Sequence, residues 1–335
     1  MERTWLRRPV MGSAVTVLAV ALLVSCAVWA PLLVVIDLLR RRWRFPLVRF
    51  VAFGMLWSWL EACGLVAAIL LFLVGQGKNL SANYRLQAWW TRNVVRALLI
   101  TVGLRIEVEG FDELGTGPFI ALCRHASLAD SVMSAWVLAD HAHLKPRYVL
   151  KKELKMDPCL DVVGHRLPNY FIDRKSANVS SELQGIEQMA AGLAEDEVAV
   201  IFPEGSRANN TKRARALDKL RTRSPERAER LDKLQHLLPP KPAGASALLA
   251  AVPHANVITM WHSGFDGLDT FRGIVRHLAQ RAIRVHVKIT EHHRATVASG
   301  EAFVDWLDEQ WLVMDDAVSR HVSRVLIPLS GGEHG

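Results

Sequence analysis

The sequence predicts an α/β domain with a largely parallel or mixed central sheet flanked by helices, preceded by an amino-terminal two-helix membrane hairpin. Two observations predict it. From Arg105 onward, short apolar segments of strand length alternate with helical patterns, and polar residues stand just past the ends of the apolar segments. Ahead of them, Gly12 to Ile36 carries no charge over 25 residues, and Val51 to Gly75 carries only Glu61 over another 25. Each run is long enough to cross a hydrocarbon core about 30 Å thick at about 1.5 Å per residue.

The bulk numbers agree. A chain of 335 residues accommodates one domain of ordinary large size plus an appendage. Half of the residues are apolar and the mean hydropathy is +0.14, which leans towards a membrane-associated protein. The first apolar run is too long for the core of a cleaved signal, and Arg40-Arg41-Arg42-Trp43-Arg44 after it reads as the flank of an anchor. Two topologies stand open, a pair of spans or a hairpin that dips into one leaflet. Glu61 suits the second, because a carboxylate at mid-bilayer costs about a few kcal/mol. Either way the amino terminus and the carboxy-terminal domain share one side. Basic residues flank both ends of the hairpin, so the positive-inside rule sets no orientation. Cys26 and Cys63 lie in the apolar runs while Cys123 and Cys159 stand alone; this spacing excludes a zinc site and a disulfide framework, and no metal is expected. Arg outnumbers Lys by 30 to 11, a balance that reads as GC-rich, bacterial coding.

The elements follow in order. Residues 1–80 are the anchor. Residues 81–104 connect it: from Tyr84 to Gly103, Leu86, Trp89, Trp90, Val94, Val95, Leu98 and Leu99 recur at helical spacing with Arg85, Arg92 and Arg96 between them. Such a helix suits the headgroup layer or simple packing on the next domain. Residues 105–335 form that domain. Strands are expected at Phe119–Leu122, Arg147–Leu150, Tyr170–Ile172, Val198–Phe202, Asn256–Met260 and Val285–Ile289, and helices at Ser131–Asp140, Ser181–Ala194 and Phe303–Ser323. A basic insert, residues 207–241, holds eleven Lys or Arg against four acids, a net +7 beside the whole-chain +8. It reads as a solvated helix face, or as an attraction for anionic headgroups or a substrate's phosphates. Nucleic acid is not an expected partner, since membrane segments are present and recognition motifs are missing.

Chemistry concentrates at the strand ends. His125 stands five residues before Asp130, and an imidazole that titrates near neutrality can take a hydroxyl proton while a carboxylate fixes its tautomer. Residues i and i+5 of one continuous helix do not face each other, so His125 is expected in the turn and Asp130 in the first turns of the next helix. Ser127 is expected to cap that helix; no Gly-x-Ser-x-Gly elbow surrounds it to make it a nucleophile. Phe202-Pro203-Glu204-Gly205-Ser206-Arg207 follows another strand. Gly205 allows close backbone approach, and Arg207 offers a fork of donors that matches phosphate oxygens. Lys151 and Arg174 end two further strands, so three cations on one rim would make an anion pocket. His254, after Pro253, reads as a turn residue.

These blocks resemble the glycerolipid acyltransferase family, most closely its lysophosphatidic acid (1-acylglycerol-3-phosphate) acyltransferases, over about Arg105 to Ile289. His125-Ala126-Ser127-Leu128-Ala129-Asp130 matches the catalytic block. Asn169-Tyr170-Phe171-Ile172-Asp173-Arg174 matches the acceptor block, preceded by the family-like Tyr148 to Leu154. Phe202 to Arg207 matches the third block, and Leu237-Leu238-Pro239-Pro240-Lys241-Pro242-Ala243-Gly244 resembles the fourth. The resemblance implies that His125 deprotonates the free hydroxyl of a lysophospholipid, with Asp130 behind it. The acyl group would come from acyl-CoA or acyl carrier protein as co-substrate, with no other cofactor and no covalent enzyme intermediate. Lys151, Arg174, Gly205 and Arg207 would hold the acceptor's phosphate and Glu204 its glycerol, giving phosphatidic acid. The setting it implies is the bacterial inner membrane, with the catalytic domain on the cytoplasmic side and membrane lipid as neighbour. The same chemistry on another lysophospholipid, glycerol 3-phosphate or a glycolipid is the alternative. Three departures stand out. Arg124 replaces the usual Asn, which alters the local hydrogen bonding or the acceptor. Asn169 replaces the commoner Gly, and the fourth block lacks its usual Val-Pro-Val pattern.

Overall fold

The computed structural model describes residues 4–266, 268, 270–280 and 283–326; residues 327–335, the end of the domain expected over 105–335, lie outside it. Among the described residues there are seven strands: β1 (Arg105–Glu109), β2 (Phe119–Cys123), β3 (Lys145–Lys151), β4 (Tyr170–Ile172), β5 (Glu197–Ile201), β6 (Asn256–Ser263) and β7 (Arg284–His292). The helices are α1 (Thr4–Val24), α2 (Cys26–Leu39), α3 (Pro46–Leu73), α4 (Leu80–Ala97), α5 (Asp130–Trp136), α6 (Pro158–Gly164), α7 (Val179–Ala190), α8 (Asn210–Arg223), α9 (Pro225–Leu231), α10 (Pro242–Ala251), α11 (Phe271–Gln280) and α12 (Ala302–Leu326).

One sheet runs in the order β1-β7-β6-β2-β5-β3-β4, parallel at every pairing except β6 with β7. The central strands β2 and β5 are buried at all five positions, and apart from Glu197 at the start of β5 both are unbroken apolar runs. Alternation divides their side chains between two faces. Ile120, Leu122, Ala199 and Ile201 enter one core with residues of α7, α10 and α12. Phe119, Ala121, Val198 and Val200 enter the other, which includes Met133 and Ala135 of α5. The strands β2 to β6 all run the same way, so their carboxy-terminal ends form one rim. The strand β6 continues to Ser263, three residues past the expected end at Met260, and so carries His262 to that rim.

The amino-terminal segment holds two helices long and apolar enough to cross a membrane, Leu6–Val24 and Pro46–Leu73. The first apolar run is not one rod. It breaks at Ser25, where the Ser25 hydroxyl donates to Ala21 O at 2.5 Å and Trp29 Nε1 donates across the break to Leu22 O at 2.7 Å. Asp37, buried, then accepts from Leu47 N at 2.9 Å and so caps the start of α3.

Rather than standing clear of the domain, α3 packs along it. Ser58, Glu61, Ala62, Gly64 and Ala68 are its buried residues beyond the first turn. Glu61, the one charge in the second apolar run, has a protein partner: its Oε2 accepts from Cys159 N at 3.0 Å at the start of α6. Arg166 of the domain donates to Ala68 O at 2.9 Å. Arg7 and Arg8 both bind Asp161 of α6, at 2.9 and 3.1 Å. Gly64 is where the helices come closest, and a Cβ added there would lie 2.6 Å from Cys159 Sγ. Replacing Gly64 with Leu is therefore expected to destabilise the chain by about 1–3 kcal/mol, the usual cost of overpacking. Thermal unfolding of the full chain in detergent measures this, and an unchanged midpoint would contradict the close packing of α3 on α6.

Candidate active site

His125 leaves the end of β2, and its loop is stitched to both neighbouring strands. Arg124 N donates to Met260 O of β6 at 2.9 Å, and His125 O accepts from Ala208 N beyond β5 at 2.7 Å. Glu204 Oε1 accepts from His125 N at 2.7 Å. The ring lies 5.0 Å from that of Phe202. Asp130 is the first residue of α5, so the pair sits where turn meets helix, as the spacing requires.

His125 Nδ1–H donates to Asp130 Oδ2 at 2.9 Å. A carboxylate only accepts, so the Nδ1 proton is fixed and Nε2 is left as the free base. Asp130 is buried, yet well provided with donors. Ala126 N and Ser127 N donate to Oδ2 at 2.6 and 2.8 Å, and the Ser127 hydroxyl donates to Oδ1. Burial opposes its charge, but His262 and His125 outweigh burial and hold it far below the usual carboxylate range. Ser127 is thus neither nucleophile nor helix cap. Ala129 occupies the cap position of α5 without a side-chain bond, because the Ser127 hydroxyl is turned onto Asp130.

The strand-end cations gather here. Lys151 is pushed down to about 8, first by partial burial and then by Arg174, Arg207 and Lys212. Among the described residues none of Lys151, Arg174 and Arg207 has a carboxylate within 4.0 Å, and Arg207 Nη1 is buried without a partner. An arrangement of crowded cations with an unused buried donor is complete only with an anion. Two further members come from outside the strand ends. Lys212, at the start of α8, donates to Arg207 O at 3.0 Å. Lys241 is partly buried, and Arg174 and Lys219 add to the burial that lowers its titration. Gly205 has a left-handed φ of +73°, and a Cβ there would lie 3.0 Å from Lys241 Nζ. So the fourth block packs against the third. Both lysines belong to the basic insert, whose excess of charge was the only sequence signal for Lys212, while Lys241 also stands in the fourth block. The rest of that insert divides: Arg227 and Arg230 bind the buried Asp308 of α12 at 2.7 and 3.0 Å, a structural use.

Three residues have partners other than those the sequence suggests. Glu204 is buried with both oxygens engaged, Oε1 by His125 N and Oε2 by Leu238 N at 3.0 Å. It acts on the site by holding the His125 backbone, where the resemblance puts it on the acceptor's glycerol. The buried guanidinium of Arg124 donates to Asp266 and to His262 O. Its substitution for Asn therefore changes the local hydrogen bonding. Asn169 bridges β3 and α6, accepting from Tyr148 N at 2.7 Å and donating to Gly164 O at 2.9 Å. His254 is an exposed turn residue at the opposite end of β6, as expected.

On the other side of the catalytic loop lies an apolar cavity of about 520 Å³ between α3, α4, α5 and α6. Phe53, Trp57, Trp90, Val94 and Leu160 line it, and Ser127, Leu128 and Ala129 form the wall nearest His125. Its volume falls in the range of small-molecule sites, about 300–1,000 Å³.

A base with its orienting acid and a cation cluster share one sheet rim, with an apolar cavity beside the loop that follows His125. The acyltransferase family model matches residues 105–263, from β1 to the end of β6. Over these residues the chain matches an acyltransferase domain. Among solved structures it is similar to the 1-acyl-sn-glycerophosphate acyltransferase PlsC from Thermotoga maritima, with 16% identity and a TM-score of 0.44, over 81% of this chain and 100% of that one. A search of curated proteins finds no match.

Two outcomes are expected of this geometry. Glu204→Gln leaves a side-chain NH2 facing a backbone N–H, so it should lower stability by about 1–3 kcal/mol and reduce turnover. Thermal unfolding and kcat of the variant check both; a silent substitution would remove Glu204 from the support of His125. The second concerns pH. Burial is the largest influence on His125 and lowers its titration, Asp130 opposes that, and Lys151 and Arg174 lower it further. A base must be neutral, so the acid limb of kcat/KM should fall below the ordinary histidine value of about 6.5. The limb of kcat should lie higher if an anionic group of the substrate offsets the two cations. Measuring both limbs decides, and a kcat/KM limb above about 6.5 contradicts the assignment.

Proposed function

We propose that this enzyme moves a fatty acyl group from an acyl thioester, acyl-CoA or acyl carrier protein, to the free hydroxyl of 1-acylglycerol 3-phosphate, giving phosphatidic acid. One observation carries the reading: His125 lies within electrostatic reach of Lys151 and Arg174, and Ser127, two residues further on, lines an apolar cavity. An acceptor of this class has a phosphate for the first, and an acyl donor has a chain for the second. His125 Nε2 takes the hydroxyl proton as the oxygen attacks the thioester carbonyl. The tetrahedral adduct collapses with loss of the thiolate, and the imidazolium returns its proton to the departing sulfur. Asp130 stabilises the imidazolium between these steps. Lys151, Arg174 and Arg207 hold the phosphate, with Lys212 and Lys241 behind them.

The amino-terminal helices support a lipid surface as the setting of this chemistry. Most residues of the apolar windows in these two helices stay unburied, which favours lipid over a protein core as their surroundings. Val17, Val24, Leu32, Ile69, Phe72 and Leu73 stay exposed, a surface suited to acyl chains. The catalytic domain faces the cytoplasm of a bacterial inner membrane in this reading, where acyl thioesters are made.

The cation cluster reads a phosphate and leaves the rest of the acceptor open. The deciding experiment offers purified enzyme one labelled acyl-CoA with a panel of lysophospholipids, glycerol 3-phosphate and a glycolipid, with His125→Ala as the inactive control. Turnover of 1-acylglycerol 3-phosphate is expected. Arg207→Ala should raise its KM by roughly tenfold to hundredfold, as for a lost bond to a charged group. Neglect of 1-acylglycerol 3-phosphate while another acceptor is acylated would overturn the choice of acceptor. Full activity of His125→Ala would overturn the mechanism.

A further inference from the structure

The Asp130 carboxylate has a second histidine. Oδ2 accepts from His125, Ala126 N and Ser127 N, and Oδ1 from the Ser127 hydroxyl. His262 Nε2 lies 3.2 Å from Oδ1, within ion-pair distance but outside hydrogen-bond geometry. Because a carboxylate only accepts, the tautomer that suits this approach carries its proton on Nε2. His262 is buried near the end of β6 and held firmly. Its carbonyl accepts from Arg124, Arg124 is fastened to Asp266, and its ring meets Phe265 edge-on at 5.2 Å.

The charged neighbours of His262 come from several elements. Asp130 faces it from α5, Asp266 from the loop after β6, and Arg124 and His125 from the end of β2. Glu204 beyond β5 interacts with Arg124 and Asp130, and His236 beyond α9 with Arg124 and Asp266. His262 thus stands between two carboxylates with one buried guanidinium beneath it, and the acyl-transfer steps make no direct use of it.

We infer that His262 is a positioning residue: by presenting Nε2–H to Oδ1 it keeps Asp130 Oδ2 aimed at His125 and shares the carboxylate's negative charge. The inference rests on His125 being the base of the proposed reaction. Its sign is definite. With the donor removed, Asp130 bears more charge towards His125, holds the imidazolium more tightly, and His125 titrates at a higher pH.

The test uses the full chain in detergent micelles with ¹³C-labelled histidine rings. The His125 resonance is assigned by its loss in His125→Gln. His262→Met keeps the bulk without the donor; His262→Asn is a second variant whose amide is too short to reach Oδ1; His262→Gln keeps an N–H close to the Nε2 position. The donor-less variants should raise the His125 midpoint by about half a pH unit and lower kcat about tenfold, with acceptor KM unchanged. His262→Gln should stay close to wild type in both readouts. An unmoved His125 midpoint in His262→Met and His262→Asn would falsify the role, as would equal losses in all three variants, the mark of packing alone. The midpoint is read without substrate. A wild-type enzyme inert towards every acceptor would therefore count against the functional reading and leave this measurement to stand by itself.

Discussion

The whole rim is organised around the cost of burying one carboxylate. Asp130 has almost no contact with solvent, and an ionised group in that position survives only if donors replace water. The chain supplies them by bending residues 125–127 back over it, so that two backbone N–H groups, a hydroxyl and the His125 ring converge on its two oxygens. That bend is what puts His125 at the mouth of the site. Glu204 repeats the device one strand away, gathering His125 N and Leu238 N. The two acids thereby tie the ends of β2 and β5 and the segment before α10 into one unit. Arg124 is close enough to both to offset part of their charge from below. A buried cation among buried acids is a structural solution to a problem that the catalytic acid creates.

Much of this is legible in the sequence because parallel strands end on one side. Once Phe119–Leu122, Arg147–Leu150, Tyr170–Ile172 and Val198–Phe202 are read as strands, His125, Lys151, Arg174 and Arg207 are placed on one rim. Lys151, Arg174, Arg207 and Lys212 are indeed within electrostatic reach of one another. What stays hidden has physical reasons. The sequence ends β6 at Met260 because Trp261-His262-Ser263 breaks the apolar run. Pairing with β2 ends at Met260, but the ladder to β7 continues to Ser263 and carries the strand past its apolar run. Looking past the apolar run for polar residues, the rule that finds His125, also finds His262 when the strand is given its full length.

Partners are harder to read than positions. Residue type fixes what Glu204, Ser127 and Arg124 can donate or accept, and the fold decides to whom. Arg124 meets Asp266, 142 residues away in the chain, and no local pattern encodes that meeting. The sequence neighbours of Glu61 are apolar and suggest lipid around it; its actual neighbour is the amide at the start of α6. In each instance the tertiary contact overrides what the adjoining residues suggest.

The packing of α3 has a consequence for what counts as the enzyme. Phe50, Phe53, Gly54 and Trp57 of α3 and Leu86, Trp90 and Val94 of α4 are wall residues of the apolar cavity beside the catalytic loop. The amino-terminal segment is therefore one half of a container, and the sheet domain is the other. Cutting the chain ahead of β1 to obtain a more tractable fragment would leave the histidine and its acid in the fragment. It would also open the cavity to water along one whole side. The boundary at which the motifs begin is not the boundary at which the site begins.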